Sequence, residues 1–258
     1  MRTLRGPRPD GLPCWLDLAV PDVARAAEFY EHVLGWTYDV GGEESGRYHT
    51  ANVDGRAAAG MGQVREGGAA PSAWTVYFAA GDIGVRSEHA RGLGATLVMN
   101  PMEIPRQGHM AIAQDPTGAH FGLWQALQHT GFGAAGVAGT MAWCELLTRD
   151  PVAAQTFYTK LLGLDAWLVE GAANRYRALG RDGAAVAGIL HMGVEHEGVP
   201  PHWLAYFQVD DADRAAEAVG RAGGLVSDGP IDATRGRVVM ATDPFGAAFA
   251  LVQPPPRD

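Results

Sequence analysis

The sequence predicts an α+β protein made of two copies of one domain, each copy containing two βαβββ modules. Three observations predict this: a repeat that relates the two halves, a shorter repeat inside each half, and alternating apolar stretches after every predicted helix. The long repeat comes first. A spacing of 128 residues lays Trp15 on Trp143, Asp22 on Asp150, Phe29-Tyr30 on Phe157-Tyr158 and Leu34-Gly35 on Leu162-Gly163. The same spacing pairs DPTGAHFGLWQ (Asp115 to Gln125) with DPFGAAFALVQ (Asp243 to Gln253), and a spacing of 129 pairs Trp74, Tyr77, Phe78 and Asp82 with Trp203, Tyr206, Phe207 and Asp211. Two domains of one fold follow, residues 10–127 and 139–254, joined by a glycine-rich linker at 128–138.

Inside each half, a strand, an acidic residue, an amphipathic helix and a Leu-Gly stop occur twice. In the first half these are WLDLAVPD with a helix to Leu34-Gly35, then TVYFAAGD with a helix to Leu93-Gly94. Asp22, Asp82, Asp150 and Asp211 sit where an N-cap carboxylate accepts from free backbone N–H groups, and Gly35, Gly94, Gly163 and Gly223 where the chain leaves a helix through a left-handed turn. Short alternating stretches such as RYHTANV, AAGMGQV and HMAIAQ read as strands, and Asp-Pro-Thr-Gly fits a type I turn.

Composition bounds the function. The 258 residues are 47% hydrophobic and 19% charged, with a formal net charge of -9 and a pI near 5.4. An acidic chain lacks the basic face that nucleic acid or an anionic membrane would need. No apolar run suggests a signal peptide or a bilayer span, which points to the cytoplasm. Cys14 and Cys144 provide neither a disulfide framework nor a zinc cluster and read as buried thiols.

Strand, Asp-initiated helix carrying Phe-Tyr and closing in Leu-Gly, then three strands turning through Asp-Pro-x-Gly: this order resembles the vicinal-oxygen-chelate superfamily of glyoxalases, bleomycin-resistance proteins and extradiol dioxygenases, over nearly the whole chain. Trp-x-x-Tyr-Phe together with Ala59 to Met61 and Ala187 to Ile189 is similar to an actinobacterial two-domain glyoxalase-like group, also labelled hydroxylase. The resemblance implies tandem glyoxalase-like domains whose four modules curl mixed, half-open sheets into cups, with helices outside and the ligand inside. It also implies metal ligands on the first strand of each module and after the Asp-Pro-x-Gly turn. Those positions hold Trp15, Thr75 and Gly122 in the first half and Trp143, Leu204 and Ala250 in the second. A catalytic zinc or iron needs about three N, O or S ligands, so the sequence predicts no metal, no other cofactor and none of the family's metal-dependent chemistry.

Two rival motifs have bland readings. HMGVEHEGVPPHW gathers His191, Glu195, His196, Glu197 and His202, but its glycines and prolines deny it the helix a zinc motif needs, so it reads as a solvated loop. GFGAAG (Gly131 to Gly136) matches a dinucleotide fingerprint, yet the repeat places a strand after it where that fingerprint requires a helix, so it reads as a flexible linker.

The candidate site is the lining of the cups. If Trp15 points inward, period-two alternation sends Asp17 and Ala19 inward too, and in the second half Trp143, Glu145 and Leu147. An inward carboxylate in an apolar cup is a candidate acid or base, with Asp17, His120 and Glu145 as the catalytic candidates. The alternative is a structural carboxylate paired to a cation such as Arg47 or Arg175. His120 shares strand parity with Gly122, whereas its counterpart Ala248 has no chemistry, which favours the first half as the working site. Trp15, Tyr48, His49, Trp74, Thr75, Trp143 and Trp203 are the candidate ligand-binding residues, with the facing of Tyr48 and His49 left open by the pattern. Two functions stand side by side: metal-independent proton transfer on a small aromatic or conjugated metabolite, and sequestration of a planar antibiotic between tryptophans. The expected partner is a small molecule, the chain being a monomer or a homodimer. Whether modules pair within a half or across halves is open.

Overall fold

The computed structural model of the protein describes residues 2–43, 46–64, 72–171 and 176–256. A short β1 (Arg2–Thr3) opens the chain. The first half then runs β2 (Pro13–Val20), α1 (Val23–Leu34), β3 (Thr37–Val40), β4 (His49–Val53) and β5 (Arg56–Gln63), followed by β6 (Ala73–Ala79), α2 (Ile83–Gly92), β7 (Thr96–Ile104), β8 (Gly108–Gln114) and β9 (His120–Ala126). After β10 (Ala134–Ala135) the second half repeats the order as β11 (Met141–Thr148), α3 (Pro151–Leu162), β12 (Asp165–Leu168), β13 (Arg177–Arg181), β14 (Ala184–His191), β15 (His202–Gln208), α4 (Ala212–Arg221), β16 (Leu225–Ala233), β17 (Gly236–Thr242) and β18 (Ala248–Gln253). This is βαβββ four times, as the sequence predicts.

Each half forms one eight-stranded mixed sheet that does not close into a barrel, ordered β3-β4-β5-β2-β6-β9-β8-β7 and β12-β13-β14-β11-β15-β18-β17-β16. The antiparallel pair β2–β6, with Trp15 opposite Tyr77 and Asp17 opposite Thr75, joins the two modules of the first half. Modules therefore pair within a half. The caps explain the helix limits. Asp22, Asp82, Asp150 and Asp211 each accept from the backbone N–H three residues on, at 2.9–3.0 Å, and Gly35, Gly94, Gly163 and Gly223 all have positive φ.

Alternation along β2 separates two faces. Leu16, Leu18 and Val20 are buried with the helices in a core that runs through both halves without interruption. The seam between the halves is polar at two symmetric points. Tyr30 on α1 donates to Asp243 in the second half's Asp-Pro-Phe-Gly turn at 3.3 Å, and Tyr158 on α3 donates to Asp115 in the first half's turn at 2.8 Å. Trp74 donates to the Tyr30 hydroxyl at 2.9 Å and Trp203 to that of Tyr158 at 2.8 Å. The repeated Phe-Tyr and Asp-Pro-x-Gly motifs are thus the two ends of a reciprocal lock.

The connection between the halves departs from the flexible linker its glycines suggest. Phe132 is buried, its N–H bonds to Cys14 O, and Gly133 N–H bonds to Ala57 O, while β10 pairs with β1. The glycines bring the chain close to the sheet: a side chain on Gly131 would collide with the Cys14 carbonyl oxygen at 2.3 Å.

Candidate functional site

The second face of each sheet is the one that the resemblance implies is the inside of a cup. On the first sheet it presents Trp15, Asp17 and Ala19 of β2, Thr75 and Tyr77 of β6, and Gly122 and Trp124 of β9, as strand register and alternation require. Tyr48, which immediately precedes β4, lies across β5: a Cβ on Gly60 would meet its hydroxyl at 1.7 Å. Trp15 Nε1 donates to that hydroxyl at 3.0 Å. Tyr77 lies over Gly122, where a Cβ would meet its ring at 2.2 Å, and its hydroxyl donates to Asp17 Oδ2 at 3.5 Å. Asp17 Oδ1 is buried with no hydrogen-bond partner.

Burial pushes the Asp17 carboxyl up to about 6, against the pull of the Tyr48 and Tyr77 hydroxyls and the Leu18 N–H. Burial first, and then the neighbouring carboxylate, raise both phenols well above the ordinary tyrosine range. The cup thus holds a carboxyl raised by burial between two tyrosines that keep their protons.

The second cup repeats this arrangement one methylene longer. Trp143 Nε1 donates to Tyr176 at 2.9 Å, Tyr176 donates to Glu145 Oε2 at 2.9 Å, and Tyr206 donates to Glu145 Oε1 at 2.5 Å. Burial raises the Glu145 carboxyl, opposed by both tyrosines and by Arg235. The Arg235 guanidinium sits 3.3 Å from the centroid of the Trp143 ring, a cation–π contact without a counterpart among the described contacts of Trp15. The cup also fills itself. Trp143, Leu147, Met192, Leu204 and Tyr206 are all buried in an apolar cluster apart from the main core. At matching positions of the first cup stand Ala19, Val64, Thr75 and Tyr77; Ala19 is exposed and Thr75 half-buried.

The predicted site residues divide accordingly. Trp15, Asp17, Tyr48 and Thr75 meet in the first cup, and Trp143 with Glu145 in the second. Trp74 and Trp203 lie on the opposite face, 6% and 3% exposed, in the seam between the halves, so neither reaches a ligand in a cup. His49 also faces away: its Nδ1 contacts Arg47 O at 2.8 Å and its ring packs on Tyr38, whose hydroxyl binds α1 at Ala27 O. His120 has the predicted parity but is the exposed first residue of β9, two strands from Asp17 and level with Thr75. Arg47 is exposed, and tyrosine hydroxyls take the place expected of a cation at Asp17; Arg175 lies outside the described residues. Tyr77, Tyr176, Tyr206 and Arg235 were not among the expected site residues, although the repeat marks both tyrosine pairs.

The HMGVEHEGVPPHW segment forms a short 3-10 turn at Val194–His196, where Glu195 accepts from the Gly193 N–H and contacts His196, His202 contacts Pro200 O, and the His196 carbonyl accepts from Arg149.

With the geometry in place, comparison with known proteins identifies the fold. The model of the Glyoxalase/Bleomycin resistance protein/Dioxygenase superfamily matches residues 14–123 and again 140–251. The chain belongs to that superfamily. It is 37% identical over 255 residues to the glyoxylase-like protein CFP32 of Mycobacterium tuberculosis, covering 96% of each chain. It is 35% identical over 262 residues to the anthracycline biosynthesis protein DnrV of Streptomyces peucetius, covering 94% of this chain and 93% of that one. Among solved structures, the Mn(II)-bound glyoxalase from Novosphingobium aromaticivorans superposes with a TM-score of 0.65 at 17% identity, over 95% of this chain and 83% of that one. The 2,3-dioxygenase LapB from Pseudomonas sp. KL28 gives 0.63 at 16% identity, over 93% and 91%. At these identities the structures share the fold.

A divalent metal of the kind bound in that glyoxalase does not fit the superfamily's ligand positions here. In the first cup they hold the Trp15 indole, the Thr75 hydroxyl and a glycine whose space the Tyr77 ring takes. The nearby donors are one carboxyl, phenols held protonated and the His129 imidazole that packs on Trp15, still short of the three or so anionic or imidazole ligands such an ion needs.

Proposed function

We propose that this superfamily member binds a small aromatic or conjugated metabolite in its first cup and rearranges it by metal-independent proton transfer, with Asp17 as the acid-base group. The observation that carries the reading is the difference between two equivalent carboxyls. Glu145 is closed in by two hydrogen bonds, an arginine and apolar side chains. Asp17 keeps one oxygen without a partner, faces small side chains and has its carboxyl pushed up to about 6. A group of that pKa takes a proton from a carbon next to a carbonyl near neutral pH and returns it, which is the match that general acid–base catalysis requires. Tyr48 and Tyr77, protonated and aimed at Asp17, hold the carboxylate form by hydrogen bonding; His120 lies at the mouth of the cup.

Relatives named for anthracycline biosynthesis favour a polyketide-type aromatic ketone as the kind of substrate. The tryptophans argue against a grip by stacking, since Trp15, Trp74, Trp143 and Trp203 are each 6% exposed or less. Native mass spectrometry of freshly purified protein, followed by transfer of the co-purified compound into deuterated buffer, tests the reading. Wild-type protein should catalyse deuterium incorporation at carbon, Asp17→Asn should lose it while still binding, and treatment with a chelator should leave it unchanged. Binding with no exchange above the buffer rate would make the protein a sequestering one.

A further inference from the structure

The second cup is closed by a cation, Arg235, whose place there no ion pair explains. β16 and β17 pair as far as Ala233 opposite Gly236, so Thr234 and Arg235 are the two residues of the turn between them. From that turn the guanidinium carbon lies 3.3 Å from the centroid of the Trp143 ring. Trp143 Nε1 donates to Tyr176, and the Tyr176 hydroxyl donates to Glu145. Burial raises the Glu145 carboxyl, and after the Tyr206 and Tyr176 hydroxyls Arg235 is the group that opposes it. An aromatic face and a desolvated carboxylate are what a planar, delocalised guanidinium takes in preference to a lysine ammonium.

Two comparisons within the chain set this contact apart. Arg237, two residues on, turns to Asp213 on α4 and to Asp232, whereas Arg235 makes no salt bridge among the described residues. In the first half the matching turn position at the 128-residue spacing is Gln107, whose carbonyl accepts from the Leu127 and His129 N–H groups. The ring nearest Trp15 is then the His129 imidazole, edge-on at 4.3 Å, which burial lowers to about 4 and so keeps neutral.

Arg235 is also the part of this cluster that can leave. Trp143, Glu145, Leu147, Met192, Leu204 and Tyr206 are buried, but Thr234 and Arg235 are exposed, and β16 is the edge strand of its sheet. We propose that Arg235 is an internal ligand: the mouth of the second cup, between Trp143 and Glu145, is a recognition site for a planar organic cation, a guanidinium or amidinium head group, which the hairpin of the free chain occupies itself. The apolar side chains that fill the cup limit the occupant to such a head group, with the rest of the molecule outside. An incoming cation competes with the tethered one, so its apparent affinity is the intrinsic affinity reduced by the fraction of molecules with the hairpin open. The site is separate from the acid–base chemistry of the first cup and stands or falls without it.

Benzamidine and benzamide, a planar cation and its neutral isostere, test the assignment by saturation-transfer NMR titration of the full chain. Arg235→Ala should bind benzamidine about tenfold or more tighter than wild-type protein does, and by a similar factor tighter than it binds benzamide. Adding Glu145→Gln to that variant should bring the two compounds to nearly equal affinity. Arg235→Lys keeps the charge and gives up the plane, so it should fold as wild type does and bind benzamidine with intermediate affinity, even if Arg235→Ala does not fold. Equal benzamidine affinity in wild-type protein and the variants, no preference over benzamide, or failure of both variants to bind would each overturn the proposal.

Discussion

Tyr158 donates to Asp115 across the seam between the halves at 2.8 Å, and the same hydroxyl accepts from Trp203. Asp115 Oδ1 is occupied within its own turn by Thr117 and by the Ala119 N–H, so Tyr158 is the cross-seam partner of Oδ2. Removing the hydroxyl strands a buried carboxylate oxygen and a buried indole N–H together. Tyr158→Phe should therefore destabilise the protein by about 2–4 kcal/mol, read as a lower urea midpoint. Tyr30→Phe, where the bond to Asp243 is 3.3 Å, should cost less.

Raising the Asp17 carboxyl to about 6 ties stability to pH. The folded protein holds this proton up to about pH 6, while the unfolded chain releases it near the ordinary aspartate value, so between the two the folded state binds more protons and stability falls as pH rises. The burden is fully present above about pH 6 and absent below about pH 4. Asp17→Asn, which carries no charge, should stabilise the protein at pH 7.5 by about 3 kcal/mol and differ little from wild type at pH 4. Urea unfolding of both proteins across that range measures it; a gain for the variant that is constant with pH would contradict the raised carboxyl.

How much of this was legible in the sequence follows from what each signal encodes. Period-two alternation found Trp15 and Asp17 on one face, because a strand fixes side-chain direction without reference to its neighbours. The same rule, applied more strictly, separates Trp74 from Thr75 and His49 from Tyr48, since adjacent strand residues cannot both enter the cup. His120 has the right parity, but alternation carries no information on depth, and its place at the open end of β9 depends on register with β6. Tyr77 and Tyr206 were visible only as marks of the repeat; their roles require β6 to lie beside β2, a pairing between segments far apart in the chain. Arg235, in the turn after β16, has Gln107 as its counterpart at the 128-residue spacing, so no repeat signal draws attention to it.

The seam offers a second internal comparison. Arg25 on α1 lies against the end of α4, its Nη2 within 3.2 Å of where a Cβ on Gly223 would stand. The matching residue on α3 is Ala153, and there a cavity of about 270 Å³ remains between Leu93, Pro116, Phe157 and Lys160. Ala153→Arg should fill that space as Arg25 fills its own, placing a cation at the carboxyl end of α2. The expected gain is about 0.3–1 kcal/mol, seen as a small rise in Tm that diminishes in high salt. A loss of stability would mean that the two seams differ in more than this side chain.

The contrast between Thr75 and Leu204 makes the two cups interchangeable in principle. Both residues stand opposite the cup carboxylate, Thr75 across from Asp17 and Leu204 across from Glu145, yet one is half-buried and the other 5% exposed. Thr75→Leu should fill the first cup with the side chain the second already carries. Because the added group buries apolar surface in existing space, thermal stability should hold or rise. Binding of the co-purified compound should fall at least about tenfold, the loss of roughly 1.4 kcal/mol. The reverse change, Leu204→Thr, removes part of the apolar plug and places a hydroxyl beside Leu147 and Met192. It should cost about 2–4 kcal/mol without creating a second binding site for that compound, since Tyr176 and Tyr206 still close over Glu145. Retention of binding by Thr75→Leu, measured by native mass spectrometry, would move the ligand out of the first cup.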